Sequence, residues 1–237
     1  MGFMDSITYP ESSTYLKVLI YGQPGTGKTV FAASAPDPLL LDIERGSASL
    51  TQFEHLSTIP VLNYTSSKTL EQVILEFQKD TGDAQQFQSL IIDSFSELQR
   101  RVLDEQLSTN SGKQRYIPDM AAFNLNTNML REIVARLRGL QKHVIITAHA
   151  KEELDPLNKA SYRPDLTPKL SNSLIGLMDV VGYMQLKTVK ENNVEKAVRE
   201  LSLVPTSKFV AKSRLGGTKL INPTFDDLLS LSKKGSL

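Results

Sequence analysis

An α/β fold is predicted for this chain, a mostly parallel sheet flanked by helices with antiparallel strands at its C-terminal side. Three observations carry that expectation. Short apolar stretches alternate with segments of helical period from Tyr15 to His149. Those stretches are near-continuous in Val, Ile and Leu, as in strands buried on both faces. The last third instead holds two strand-like runs, 179–189 and 194–204, separated by the turn-forming "KENN", which reads as a β-hairpin.

Element by element, "YLKVLI" (15–20) reads as a buried strand and "TVFAASA" (29–35) as the start of a packed helix. Strands are expected in "PLLLDIE" (38–44), "PVLNY" (60–64), "SLIID" (89–93) and "HVIITAH" (143–149). Helical spacing appears at Leu70, Val73, Ile74 and Phe77, through "FSELQRRVLDEQL" (95–107), and at Leu130, Ile133, Val134 and Leu137. Two polar stretches, 108–119 and 150–169, have the composition of loops. After the hairpin, "FV" (209–210) reads as a short strand leading into "AKSRLGG", and "TFDDLLSLS" (224–232) as a short helix. These elements divide into an N-terminal arm, 1–13, and a single domain, 14–237.

Composition narrows the class. The 237 residues, 40% of them hydrophobic, suffice for one sizeable core. No apolar run is long enough for a membrane span, and the N-terminus lacks the pattern of a secretory signal. "MGFMDS" places Gly2 and Ser6 as in a myristoylation signal, but that pattern is too short to build on. The absence of cysteine removes disulfides and thiolate metal sites, so a cytoplasmic protein without a membrane partner is expected. A net charge of +1 gives no global basic field to advertise nucleic acid.

Chemistry concentrates in "YGQPGTGKT" (21–29), which lies between a predicted strand and a predicted helix. Gly22, Gly25 and Gly27 permit backbone dihedrals and close approaches that a Cβ blocks. Successive N–H groups of Gly22, Gln23, Pro24, Gly25, Thr26, Gly27, Lys28, Thr29 and Val30 (proline excepted) are thereby able to cradle an anion. The spacing Gly22-x-x-x-x-Gly27-Lys28-Thr29 is that of a nucleotide-binding P-loop: Lys28 for the β- and γ-phosphates of ATP, the Thr29 hydroxyl for Mg²⁺. Asp93, ending its apolar strand, suits a second Mg²⁺ contact, although an Asp there is also an ordinary helix cap. Either Asp42 or Glu44 suits the base that orients an attacking water. His149 lies at the carboxyl edge of its strand, where sheets of this class bind ligands.

The order of these motifs resembles the RecA-like core ATPases over residues 14 to 220. That resemblance implies a RecA-like P-loop core, with Glu44 as catalytic glutamate and Asp93 as the Walker B aspartate. It makes His149 the γ-phosphate sensor, where RecA itself has glutamine. "AKSRLG" looks like the "KNRFG"-type motif of RadA and DnaB-type proteins, in which Lys and Arg reach a neighbouring subunit's nucleotide. Lys212 and Arg214 match, while Ser213 and Leu215 depart from it. The short chain, with "LLLDIERG" and "PKLSNSLIGLMDVVGYM", is similar to phage proteins of the RecA-like Sak group, linked to single-strand annealing. The resemblance implies a homo-oligomeric ATPase, ring or filament, acting on single-stranded DNA in the host cytoplasm, with a single-strand-binding protein as a further expected partner. It places DNA contacts in the two polar stretches, on Lys113, Arg115 and Tyr116, and on Lys159, Tyr162 and Arg163. Basic residues beside an aromatic suit backbone contact with base stacking. Charges in 150–169 sum to zero, however. An ATPase acting on a protein partner is the competing expectation. A small-molecule kinase would need an Arg-rich lid, and no such insertion is present.

Overall fold

The computed structural model describes residues 15–109, 118–154, 158–191 and 194–234. In chain order the elements are β1 (Lys17–Gly22), α1 (Lys28–Ala33), β2 (Pro38–Asp42), β3 (Val61–Asn63), α2 (Ser67–Lys79), β4 (Ser89–Asp93), α3 (Phe95–Thr109) and α4 (Met120–Arg138). There follow β5 (His143–Leu154), β6 (Ala160–Pro164), α5 (Pro168–Leu177), β7 (Val180–Glu191), β8 (Val194–Ser202), β9 (Lys212–Ser213), β10 (Lys219–Ile221) and α6 (Phe225–Lys234).

Successive side chains of a strand point to opposite faces, so a strand covered on both sides must be apolar at every position. β1 obeys this rule. Leu19 and Tyr21 enter one core and Val18 and Ile20 the other. β4 and β5 divide likewise, with Leu90, Ile92, Val144 and Ile146 on the first face and Ile91 and Ile145 on the second. The first core is covered by α2 to α5 through residues such as Leu70, Phe95, Leu130 and Leu170. The second is covered by α1 and α6, where Phe31 and Phe225 pack with ring centroids 6.3 Å apart. Phe225 is fully buried, so truncating it to alanine should cost about 3–5 kcal/mol.

The main path through the sheet runs β10-β8-β7-β1-β5-β4-β2-β3. From β7 to β3 every pairing is parallel; β8, β10, β9 and β6 join antiparallel. The fold is thus the predicted one, a mostly parallel sheet flanked by helices with antiparallel strands on the C-terminal side. β5 lies between the P-loop strand β1 and the Asp93 strand β4. Carboxyl ends of β1, β4 and β2 therefore converge on one edge, level with His149 on β5.

Several local expectations are corrected. Residues 150–154 and 160–164 of the segment expected as a loop are strands: β5 continues five residues past His149 and pairs with β6, from Ala150↔Pro164 to Leu154↔Ala160. Cross-strand pairing satisfies backbone groups that the polar composition assigned to water. His149 is consequently inside a strand. β2 ends at Asp42, before Glu44, and α4 begins at Met120, where the Asp119 side chain caps the Ala122 N–H at 2.9 Å. "FV" at 209–210 forms no regular strand; β9 is the two residues that follow Ala211.

Candidate nucleotide site

The turn from β1 into α1 depends on its glycines. Gly25 and Gly27 have φ of 77° and 95°, the left-handed region that side chains resist. Gly22 is needed for a different reason: a Cβ there would lie 2.2 Å from the Met184 carbonyl oxygen on β7. Thr26 Oγ1 donates to the Gln23 carbonyl at 2.9 Å and closes the loop upon itself. Buried Lys28 donates from Nζ to the carbonyls of Gly22 (3.1 Å) and Gln23 (3.0 Å), so its ammonium lies across the inside of the turn. Burial pushes its pKa down, and the Asp93 and Glu44 carboxylates oppose that shift.

Thr29 Oγ1 donates to Asp93 Oδ2 at 2.6 Å. The other carboxylate oxygen of Asp93 accepts from the Thr147 hydroxyl, projected from the neighbouring β5. Burial raises the Asp93 pKa while the two threonine hydrogen bonds counter it. A hydroxyl and a carboxylate this close are hard oxygen donors of the kind Mg²⁺ takes, together with phosphate oxygens and water. Among the described residues no group of three or more His, Cys, Asp or Glu is placed to hold a metal alone. That donor set fits an ion shared with a phosphate chain, as Mg²⁺ is.

Asp42 and Glu44 separate cleanly. Asp42 is buried, and its carboxylate accepts the N–H groups of Gly46 (3.1 Å) and Ser47 (2.9 Å), building the turn after β2. Arg45 sits in the left-handed region at φ 59°, and Glu44 is directed into the pocket. There Glu44 Oε1 meets His149 Nε2 at 2.7 Å and also accepts from the Ser94 hydroxyl. The His149 hydrogen bond, with smaller contributions from Ser94 and Lys28, holds the Glu44 carboxyl below its ordinary range against the opposing effect of burial. The backbone of His149 is fixed too, its N–H donating to Ser96 Oγ at 3.0 Å.

These groups line one pocket of about 340 Å³ with Pro24, Gly25, Gly27, Lys28, Thr29, Val30, Glu44, Asp93 and His149 on its walls. Ser49, Gln52 and Phe53, from the turns after β2, complete it with Arg199 of β8. Sequence reading missed Ser94, Thr147 and Arg199. "IIDS" and "IITAH" place the first two beside recognised residues, but nothing in "VEKAVRELSLV" distinguishes Arg199 from a surface-facing charge.

The remaining expected site residues lie elsewhere. Lys212 and Arg214 flank the amino end of β7: Lys212 pairs with Val181, whereas the P-loop's Gly22 pairs with Met184, roughly 10 Å further along the strand at 3.3 Å per residue. Arg214 Nη1 bonds Asp179 Oδ1 at 2.8 Å, and Lys212 Nζ donates to the carbonyls of Ile175 and Gly176. Lys113, Arg115 and Tyr116 lie outside the described residues. Lys159, Tyr162 and Arg163 sit on or beside β6; Arg163 donates to Asn172 Oδ1 at 3.0 Å, and the half-buried Tyr162 ring stacks on Tyr183 at 5.6 Å.

Residues 14–215 match the protein family described as an AAA domain, and the chain belongs to that family. It is therefore a P-loop, nucleotide-binding ATPase by family. No curated protein matches it closely enough to count as a relative. Among the described residues no helix is long and apolar enough to cross a membrane.

Proposed function

We propose that this AAA-domain protein is an Mg²⁺-dependent ATPase whose cycle drives binding and annealing of single-stranded DNA. The observation that carries the catalytic half is Glu44: an ionised carboxylate held by His149 and Ser94 in the same pocket as Lys28 and the Thr29–Asp93 pair. Lys28 and the N–H groups of the loop bind and orient the phosphates. Mg²⁺, held by Thr29 and Asp93, supplies charge neutralisation on the phosphate oxygens when bound. Glu44 accepts a hydrogen bond from water and takes its proton as the water oxygen bonds to the terminal phosphorus. The bond from that phosphorus to the bridging oxygen breaks, and the electron pair leaves with the diphosphate. His149 keeps the Glu44 carboxylate oriented and is placed to respond to the terminal phosphate.

The DNA half is supported by continuity along one strand and by the resemblance to phage annealing proteins. β5 carries His149 and then Lys151, which pairs in register with Arg163 on β6. Asp165 N–H donates to the His149 carbonyl at 2.8 Å, so the hairpin is anchored at both roots to the sensor. A change at the terminal phosphate thus has a short route to the hairpin and its basic residues Lys151, Lys159 and Arg163. In an assembly, Lys212 and Arg214 of one copy are offered to the pocket of the next, which requires Arg214 to leave Asp179.

The test is DNA affinity across a salt series with a non-hydrolysable ATP analogue. Reversing the charges of Lys159 and Arg163 should weaken binding and flatten its salt dependence, by about 0.7 in slope per lost contact with a single strand. Unchanged affinity, with ATPase activity intact, would replace DNA by a protein partner as the target of the cycle.

A further inference from the structure

Arg199 is the cation at the pocket that the P-loop chemistry leaves unused. Of the buried side-chain polar atoms that lack a hydrogen-bond partner among the described residues, its Nε is the charged one and the one at this pocket. Buried donors in folded proteins nearly always have partners, and one that lacks them at a binding site marks where a ligand acceptor belongs. No carboxylate among the described residues forms an ion pair with it.

Its position is tightly set. The side chain passes directly over Gly27: a Cβ built there would lie 2.4 Å from Arg199 Nε and 2.6 Å from Cδ. The arginine therefore crosses the P-loop immediately before Lys28, over a glycine that its φ of 95° favours and that leaves room for the side chain. Asn222 clamps the main chain on both sides, its Oδ1 accepting the Arg199 N–H at 3.0 Å and its own N–H donating to the Arg199 carbonyl at 2.7 Å. A residue this well anchored, with a planar fork of donors and no acid to satisfy it, has the chemistry of a phosphate ligand.

We propose that Arg199 is a phosphate-binding residue supplied by the same chain, its guanidinium contacting the phosphate chain of the bound nucleotide beside the P-loop. The inference rests on the reading of this pocket as the ATP site and adds a second cation to it. The antiparallel strand β8 thereby becomes part of the nucleotide site.

The experiment is titration of a fluorescent ADP and a fluorescent non-hydrolysable ATP analogue into the full chain, beside thermal melts without nucleotide. Wild type, Lys28→Ala, Arg199→Ala and Arg199→Lys are compared. Arg199→Ala should bind at least one of the two nucleotides on the order of 10- to 100-fold more weakly, the range for losing a charged hydrogen-bond partner. Its nucleotide-free melting temperature should stay near wild type, and Arg199→Lys should recover only part of the loss, since an ammonium lacks the fork. Wild-type affinity for both nucleotides in Arg199→Ala, with Lys28→Ala defective, would overturn this inference alone. A lowered nucleotide-free melting temperature that Arg199→Lys restores together with affinity would also overturn it, making the arginine a prop for Gly27. Failure of wild type to bind either nucleotide would overturn the reading of the pocket itself.

Discussion

The two ends of the central sheet both gather charge, and they treat it differently. At the amino ends of β1, β5 and β7 nearly every polar group is answered by protein. Lys17 Nζ donates to the Leu140 and Lys142 carbonyls, and its backbone N–H to Asp179 Oδ2 at 3.0 Å. Asp179 holds Arg214 with its other oxygen, and Lys212 caps the carbonyls at the end of α5, where the helix dipole favours a cation. His143 Nδ1 accepts the Leu16 N–H at 3.0 Å. At the carboxyl side, Glu44, Asp93 and His149 are likewise held in place, but they face a pocket, and Arg199 Nε has no acceptor among the described residues. Saturated charge locks a chain; charge left with bonding capacity beside a cavity is where a ligand is bound.

The largest effects are expected at the carboxyl end. Lys28→Ala should remove most nucleotide binding in a direct titration, since Lys28 is the cation that the loop itself encloses. Glu44→Gln should retain binding and lose about two orders of magnitude or more in single-turnover hydrolysis. Normal turnover in that variant would show that the His149–Glu44 pair is as structural as the amino-end network.

Next in size is a pH effect at the amino end. Burial, with the nearby Lys17 charge, pushes the His143 imidazole down to about 4 from its ordinary 6.5. Between those values the unfolded chain binds a proton that the folded chain refuses, so stability falls as pH drops from about 6.5 towards 4. The expected loss from this one group is on the order of 3 kcal/mol, read from denaturant melts of wild type against His143→Gln. An equal pH slope in the variant would mean that His143 is not held neutral.

The smallest effect is expected at Arg214. The Arg214–Asp179 pair has a half-exposed guanidinium, so Arg214→Ala should cost about 1 kcal/mol or less in stability. Hydrolysis by dilute protein should be unchanged, whereas any increase in activity per subunit with protein concentration should be lost. A fall in the dilute activity would mean that the amino end serves the chain's own site. Survival of the concentration-dependent increment would remove Arg214 from the interface. Mixing Arg214→Ala with Lys28→Ala protein completes the test: some activity should return where an intact P-loop faces an intact Arg214 of the next copy.

Chain-local patterns carried the sequence reading a long way. The strand–glycine turn–helix arrangement around Lys28 and Thr29 is contiguous, so its spacing alone implied phosphate binding, and continuous apolar runs implied a sheet covered on both faces. Asp93, Glu44 and His149 stood out because each follows or closes such a run. Where local composition and pairing disagreed, composition misled. Charges in 150–154 signalled a loop, although pairing with β6 makes them a strand.

Which of these residues meet depends on how the strands pair. Asp42 and Glu44 are two positions apart and equally acidic. One carboxylate is consumed by the N–H groups of its own turn, while the other is met by His149, 105 residues away. Arg214 has no partner nearby in sequence but finds Asp179 across 35 residues once β9 pairs with β7. Arg199 is one charge among several in its strand's sequence and becomes a wall of the pocket because β8 brings it over Gly27. The physical reason is the range of the information. Dihedral preference and hydrophobic period are properties of neighbouring residues, whereas hydrogen-bond satisfaction is settled between strands that the sequence does not place side by side.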